Sequence, residues 1–340
     1  MTTVSAEACH SGGGTVVLEC VTQEKKNVMR VFVAGATGVV GRQLVPLLVS
    51  TGHEVFATTR SSDKMDALRE QGARPVLLDV LDADATLAAV RAAEPEAIVH
   101  QATALASLDM DVRHFDRTFD LTNRLRTTGT VNLLAGAQAV GTSRFLAQSY
   151  CGWPYATGGS AVKTEADPLE KHPPKAFRET LAAIRRLEEL VTATPGGVAL
   201  RYGGLYGPGT SLAFDGEQLV AIRKRRFPIV GDGGGHWSFL HVHDAATAAL
   251  AALTRGAGVY NIVDDDPAAD RDWLPYLADL LDAPRPRHVP TWVGRIAAGD
   301  GAVRMMTQVR AGSNELAKRE LRWKPTYLSW RDGFRAELGH

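Results

Sequence analysis

Cysteine is scarce in this chain. Cys9, Cys20 and Cys151 are the only three in 340 residues, and neither their number nor their spacing supplies a disulfide framework or a structural zinc site. That scarcity fits a reducing compartment, so a cytoplasmic location is expected. An excess of one charge is missing too, because 38 Lys and Arg balance 38 Asp and Glu. Without a net field, neither nucleic acid nor a membrane surface is expected as partner. The local basic run Arg223 to Arg226 reads as a solvated helix end, with a clamp for a substrate phosphate or carboxylate as the alternative. No apolar stretch approaches the roughly 20 residues of a membrane helix, and no basic segment followed by an apolar block marks a leader. Residues 1–28 show no helical or strand period and are expected to be a disordered extension, with the folded part opening at Met29.

What the chain has is apolar rhythm. Hydrophobic residues make up 45% of it, enough for a large core. From Met29 onward short apolar runs alternate with helical patterns, which predicts a parallel sheet covered on both faces. Strands are expected at Arg30–Ala34, Glu54–Thr59, Pro75–Leu78, Ala97–His100 and Arg144–Gln148, with helices over Ala83–Ala93 and around Arg124–Ala139. A long helix over Ala176–Ala193, a sixth strand at Val198–Tyr202 and a returning strand at Gly258–Val263 complete the series. The fold class is therefore α/β, a doubly wound parallel Rossmann sheet with a smaller C-terminal substrate or lid domain. The nucleotide-binding part is expected over 29–202 with a return segment at about 236–263. Residues 203–235 and 264–340 are expected to form the lid region, where Pro284, Pro286, Pro290 and Pro325 interrupt helical patterns.

The segment Gly35-Ala-Thr37-Gly38-Val39-Val40-Gly41 stands where the first strand meets the first helix. Early glycines permit a tight turn and close approach of backbone to a pyrophosphate, and Gly41 lets the helix pack closely on the sheet. The phosphates would face the free N–H groups at the positive end of that helix. Strand two ends in Thr58-Thr59-Arg60-Ser61-Ser62, with no acid before Asp63. An acid there would hold the ribose hydroxyls of NAD, whereas Arg60 accommodates a 2′-phosphate, so NADP is expected and NAD is the alternative.

The GxxGxxG spacing of Gly35, Gly38 and Gly41 resembles that of the extended short-chain dehydrogenase/reductase family, whose members are NAD(P)-dependent epimerases and dehydratases among others. Leu78-Asp79-Val80 resembles the family's adenine-side motif, and His100-Gln101-Ala102-Thr103 its motif after the fourth strand. Tyr206-Gly207-Pro208, His241-Val242-His243-Asp244, Tyr260-Asn261-Ile262 and the segment from Asn314 to Pro325 also match family motifs in order. The resemblance spans about Met29 to Phe334. It implies a cofactor site built from Gly35, Thr37, Gly38, Val39, Val40, Gly41, Arg60, Asp79, Val80, Gln101, Ala102 and Thr103, and a small-molecule substrate. A homodimer is compatible with it.

One family element is absent. Members place a Ser or Thr after strand five and a Tyr-x-x-x-Lys on the next helix, the tyrosine passing the proton and the lysine lowering its pKa. None of the seven tyrosines here has lysine four positions on. Aligning the helix through Glu188 puts Thr180 at the tyrosine position and Ile184 at the lysine position. A register through Glu189 gives Leu181 and Arg185 instead. Strand five offers Ser149 and Tyr150, and a Tyr150 phenol could donate a proton while hydride arrives, with Ser149 orienting. If not Tyr150, the donor is solvent, Thr180, or none, the substrate being activated enough to accept hydride unaided. Cys151 lacks a paired base, Lys163 is expected to face solvent, and His100 reads as structural. No metal site is expected, His241 and His243 being explained by the family motif. The sequence thus predicts an NADP-dependent oxidoreductase of atypical type. A sugar-nucleotide epimerase or dehydratase and a non-catalytic NADP(H)-sensing protein are the rivals.

Overall fold

The computed structural model describes residues 28–105 and 111–339. The extension expected over residues 1–28 lies, Val28 apart, outside the described residues. Seven strands form the central sheet: β1 (Arg30–Ala34), β2 (Glu54–Thr59), β3 (Arg74–Leu77), β4 (Ala97–His100), β5 (Arg144–Tyr150), β6 (Gly197–Tyr202) and β7 (Gly258–Ile262). Their order is 3-2-1-4-5-6-7, and every pairing is parallel. The direction of winding reverses between β1 and β4, which opens a crevice at their C-terminal ends.

Alternation along the strands explains the layers. Val31 and Val33 face one side, where Leu44, Val45 and Leu48 of α1 (Val39–Ser50) and Ala245, Ala248 and Ala249 of a later helix cover them. Phe32 and Ala34 face the other side, against Val90 of α2 (Ala83–Ala93), Leu133 and Ala137 of α3 (Thr130–Val140), and Leu187 and Val191 of α4 (Arg178–Thr192). The segment before α3 is helical in pieces from Phe115 onward and carries a π-turn at Leu125–Gly129.

The chain beyond β6 builds a second apolar core from Tyr206, Leu219, Phe239, Trp273, Leu277, Trp330 and Phe334, among others. Within 203–235, expected as part of the lid region, lie a short helix, Glu217–Arg223, and the strand Ile229–Val230, which pairs with His288–Val289. Family-motif residues hold this part to the sheet. Asp244 is buried and accepts the backbone N–H groups of Thr326 at 2.7 Å and Tyr327 at 3.0 Å. His241 takes the backbone N–H of His243 on Nδ1 and faces Glu337 at 2.9 Å. No cluster of metal-ligating side chains occurs among the described residues, and none of their helices is long and apolar enough to cross a membrane.

Candidate functional site

The glycine turn sits at the mouth of the crevice. Gly35 follows β1 with φ +86°, and a Cβ there would lie 2.6 Å from the Cα and backbone nitrogen of Ala102. At Gly41 a Cβ would lie 2.3 Å from the Gly35 carbonyl oxygen, so glycine alone lets α1 start this close to the turn. Gly38 caps the helix, and the first helical bond is the one Arg42 donates to the Gly38 carbonyl at 3.0 Å. The N–H groups of Val39, Val40 and Gly41 therefore precede the ladder and face the crevice end of the helix. The Gly35 N–H is itself held by Thr58 Oγ1 at 3.1 Å, which fixes the turn to β2.

The remaining sequence-predicted cofactor residues lie along the same edge. Arg60 is exposed immediately after β2 and makes no ion pair among the described residues. Asp79 is exposed after β3, with one carboxylate oxygen accepting the Leu81 N–H at 3.0 Å, and Val80 beside it is buried. Gln101 is buried after β4. Its backbone N–H donates to Ala34 at 2.8 Å and its side-chain amide to the Tyr202 hydroxyl at 3.1 Å, while its Oε1 has no partner among the described residues. Ala102, against Gly35, and Thr103 follow, both half-buried. A cradle that only glycine leaves open, free helix N–H groups and an orphaned buried amide oxygen fit a dinucleotide. Gly35→Ala is accordingly expected to weaken dinucleotide binding by about tenfold or more, since the new methyl must push Ala102 back and adopt an unfavourable φ. Calorimetric titration reads it, and unchanged affinity would mean the turn does not hold the ligand.

The three predicted catalytic residues meet different fates. Ser149 is buried at the end of β5 and donates to Glu188 Oε1 at 2.6 Å. Glu188, on α4, also receives Arg201 Nε and Nη2, each at 2.7 Å, and Arg201 Nη1 donates to the Tyr155 hydroxyl at 2.9 Å. Burial opposes the Arg201 charge, but the Glu188 bonds outweigh it and hold the guanidinium above its usual range. Thr180 is buried as well. Its hydroxyl donates to Asp116 at 2.7 Å and accepts from Asn123 at 3.0 Å, while Asp116 also takes the first backbone N–H groups of α4. Tyr150 is half-buried, and its hydroxyl makes no hydrogen bond among the described residues. Burial, with the neighbouring Cys151 adding, pushes its phenol well above the ordinary range, and Arg126 opposes this.

Several neighbours sort themselves by burial. Ile184 is buried, whereas Arg185 is exposed and bonds the carbonyl of Glu170, so the register through Glu189 brings no cation to the site. Lys163 corrects an expectation: it is only 3% exposed, because Val162–Lys163 pairs with Ala311–Gly312 and its Nζ turns inward to the Gly158 carbonyl and Asp167. The Cys151 thiol is pushed up to about 12, chiefly by burial, and is no nucleophile at neutral pH. His100 is held down to about 4 by burial, with its Nε2–H donating to the Leu125 carbonyl at 3.1 Å, as a structural residue would. In the basic run, Arg223 lies 4.2 Å over the exposed Phe214 ring and Arg225 bonds the Arg285 carbonyl, which suits a helix end.

Beyond Tyr150 the chain runs into an aromatic cluster that the sequence reading missed. Phe115 stacks on Phe119 at 4.2 Å and meets Phe177 at 4.3 Å and Trp153 at 5.4 Å. Trp153, Phe177, Pro174 and Met305 line a crevice closed on one side by α5 (Thr291–Gln308), whose Arg304 pairs with Glu170. Its contributors come from three distant segments, so no local pattern marks it. The crevice is small and its wall is mixed, the Trp153 and Phe177 rings packing on each other at 5.2 Å with Glu170 and Arg304 beside them.

The profile of the NAD dependent epimerase/dehydratase family matches residues 31–263. A 3-diazoavenalumate denitrifying reductase from a Streptomyces species is 41% identical over 91% of this chain and 100% of its own. A 4-hydroxy-2-methyl-3-oxo-4-farnesyl-3,4-dihydroquinoline-1-oxide ketoreductase from Stigmatella aurantiaca is 30% identical, covering 92% of each chain. Among solved structures, UDP-glucose 4-epimerase from Thermotoga maritima with UDP-glucose superposes with a TM-score of 0.70 at 20% identity, over 91% of this chain and 97% of its own. The Thermus thermophilus UDP-glucose 4-epimerase in complex with NAD gives 0.66 at 22%, over 91% and 98%. Sheet order, glycine cradle and relatives agree: this chain belongs to the NAD dependent epimerase/dehydratase family, as an enzyme of the NAD(P)-dependent oxidoreductase type.

Proposed function

We propose that this chain is an NADP(H)-dependent reductase whose acceptor is a planar aromatic molecule activated enough to take hydride without a proton donor, an aryl diazonium being the class. What supports this is α4: in the register through Glu188 the lysine position falls on Ile184, and the Thr180 hydroxyl donates to Asp116. The helix that normally moves the proton has nothing to move it with. The bound cofactor would supply hydride, and on an aryl diazonium the ring carbon gains it while dinitrogen leaves with the C–N bonding pair, so atoms and charge balance without a proton. The relative at 41% identity is named as a reductase of such a diazo compound, which supports the same class here.

This chain's residues then bind and shield. Gly35 to Gly41, Gln101, Ala102 and Thr103 hold the dinucleotide, and the Trp153 and Phe177 cluster borders the acceptor's side of the site. Residues 203–235 and 264–340 serve as the substrate side or lid. Arg60 selects NADP over NAD, and Arg60→Ala is expected to erase most of that preference, by about 1–3 kcal/mol. Equal affinity of the parent chain for NADPH and NADH in titration would remove the assignment. A cytoplasmic location fits such cofactor use.

Carbonyl reduction is a second reading, favoured by the Tyr150 hydroxyl, which makes no hydrogen bond among the described residues and stays protonated at neutral pH, and by the ketoreductase relative. Epimerisation has less support, since oxidising a sugar hydroxyl needs a base that α4 lacks. The test is NADPH consumption against a panel of aryl diazonium acids, aromatic ketones and sugar nucleotides. Consumption with the diazonium alone, and release of dinitrogen, is expected. Consumption with ketones alone transfers the proposal to the second reading, and cofactor binding without any turnover favours a sensor.

A further inference from the structure

Arg126 is charged, buried and unaccompanied. It is 4% exposed, its Nε and Nη1 are shielded without a hydrogen-bond partner, and it makes no ion pair among the described residues. Arg201, its neighbour in burial, is satisfied by Glu188 and Tyr155. A guanidinium taken out of water with no carboxylate costs folding free energy, so the site calls for a partner that comes from outside the chain.

Its place says which partner. Arg126 lies in the π-turn Leu125–Gly129, tied to the end of β4 by the His100–Leu125 bond, with Gly129 against Val80 and His100. Tyr150, at the end of β5, and Glu188, on α4, lie close enough to act on it. Burial holds the guanidinium down to about 10, still cationic at neutral pH. A dinucleotide spans the crevice at the winding reversal. Arg60 and Asp79 stand on its β2–β3 side, where the adenosine half belongs, and Arg126 stands on the β4–β5 side. Residue 184, from which the family's lysine would reach the same region, is isoleucine.

We propose that Arg126 is the cationic donor to the nicotinamide-side half of the dinucleotide, its ribose hydroxyls above all, taking from the π-turn the position that lysine would take from α4. The inference rests on the dinucleotide reading above but not on the acceptor. The test is binding by the full chain without substrate, using NADPH and adenosine 2′,5′-bisphosphate, which lacks the nicotinamide half. Arg126→Met is expected to weaken NADPH by about 10- to 100-fold and leave the bisphosphate unchanged. The ligand-free variant should melt no lower than the parent, because an unpaired buried charge has been replaced by an apolar chain of similar reach. Arg126→Lys should recover part of the NADPH affinity and serves if the Met variant does not fold. Unchanged NADPH affinity in Arg126→Met, or equal losses for NADPH and bisphosphate in either variant that folds, would overturn the assignment. Intact binding differences in a protein that reduces no acceptor would defeat only the proposed activity.

Discussion

Glu188→Ala is expected to cost about 3–5 kcal/mol of folding stability, enough to unfold a marginal domain. Glu188 and Arg201 are 9% and 6% exposed, so the substitution leaves a buried guanidinium with only the Tyr155 hydroxyl as partner. It also strips Ser149 of its acceptor at the end of β5. The pair itself need not be stabilising, because two desolvated ions of this kind are often matched by apolar residues of similar volume. Glu188→Leu combined with Arg201→Met should therefore recover much of the loss. Urea denaturation of the three variants reads both statements. A loss below about 1 kcal/mol for Glu188→Ala would mean that Arg201 finds water or another carboxylate.

Tyr150→Phe is expected to separate the two chemical readings by orders of magnitude. Phenylalanine keeps the ring and removes only a hydroxyl that makes no hydrogen bond among the described residues. If the acceptor is a ketone, the oxygen must gain a proton as hydride arrives, and loss of the phenol should lower turnover by ~10²–10⁴-fold with cofactor affinity kept. If the acceptor is a diazonium, no proton is needed and turnover should stay near the parent's. Ser149→Ala is not the matching control, because it opens the Glu188 and Arg201 cluster. A large loss with a diazonium would show that Tyr150 does something other than pass a proton, and the unaided-acceptor argument would fall.

The legibility of this chain in its sequence follows physical lines. Strands such as Val31 to Ala34 and Val198 to Leu200 are buried on both faces, so they read as unbroken apolar runs. The glycine turn was readable because its spacing is set by backbone clashes at Gly35 and Gly41. Arg126 was not singled out, since an arginine between Leu125 and Thr127 reads as a solvated helix residue. The signal was its period, for Arg126, Thr130, Leu133 and Ala137 fall on one buried stripe. Arg201 had a plainer mark, a charge inside the apolar strand Gly197–Tyr202. Lys163 misled because its burial depends on a ladder with Ala311–Gly312, nearly 150 residues away. The aromatic cluster of Phe115, Trp153 and Phe177 is likewise a product of tertiary contacts alone.

Direct hydride transfer from the nicotinamide to carbon of an activated aromatic acceptor is the core of the proposed function. It is tested by incubating the protein with NADPH carrying deuterium at the reactive C4 position and an aryl diazonium acid in ordinary water, then locating the label in the product by mass spectrometry and NMR. One deuterium on the ring carbon that bore nitrogen and one dinitrogen released per NADPH consumed are expected. An arene carrying only hydrogen from water, or an unconsumed diazonium beside intact NADPH, would contradict it.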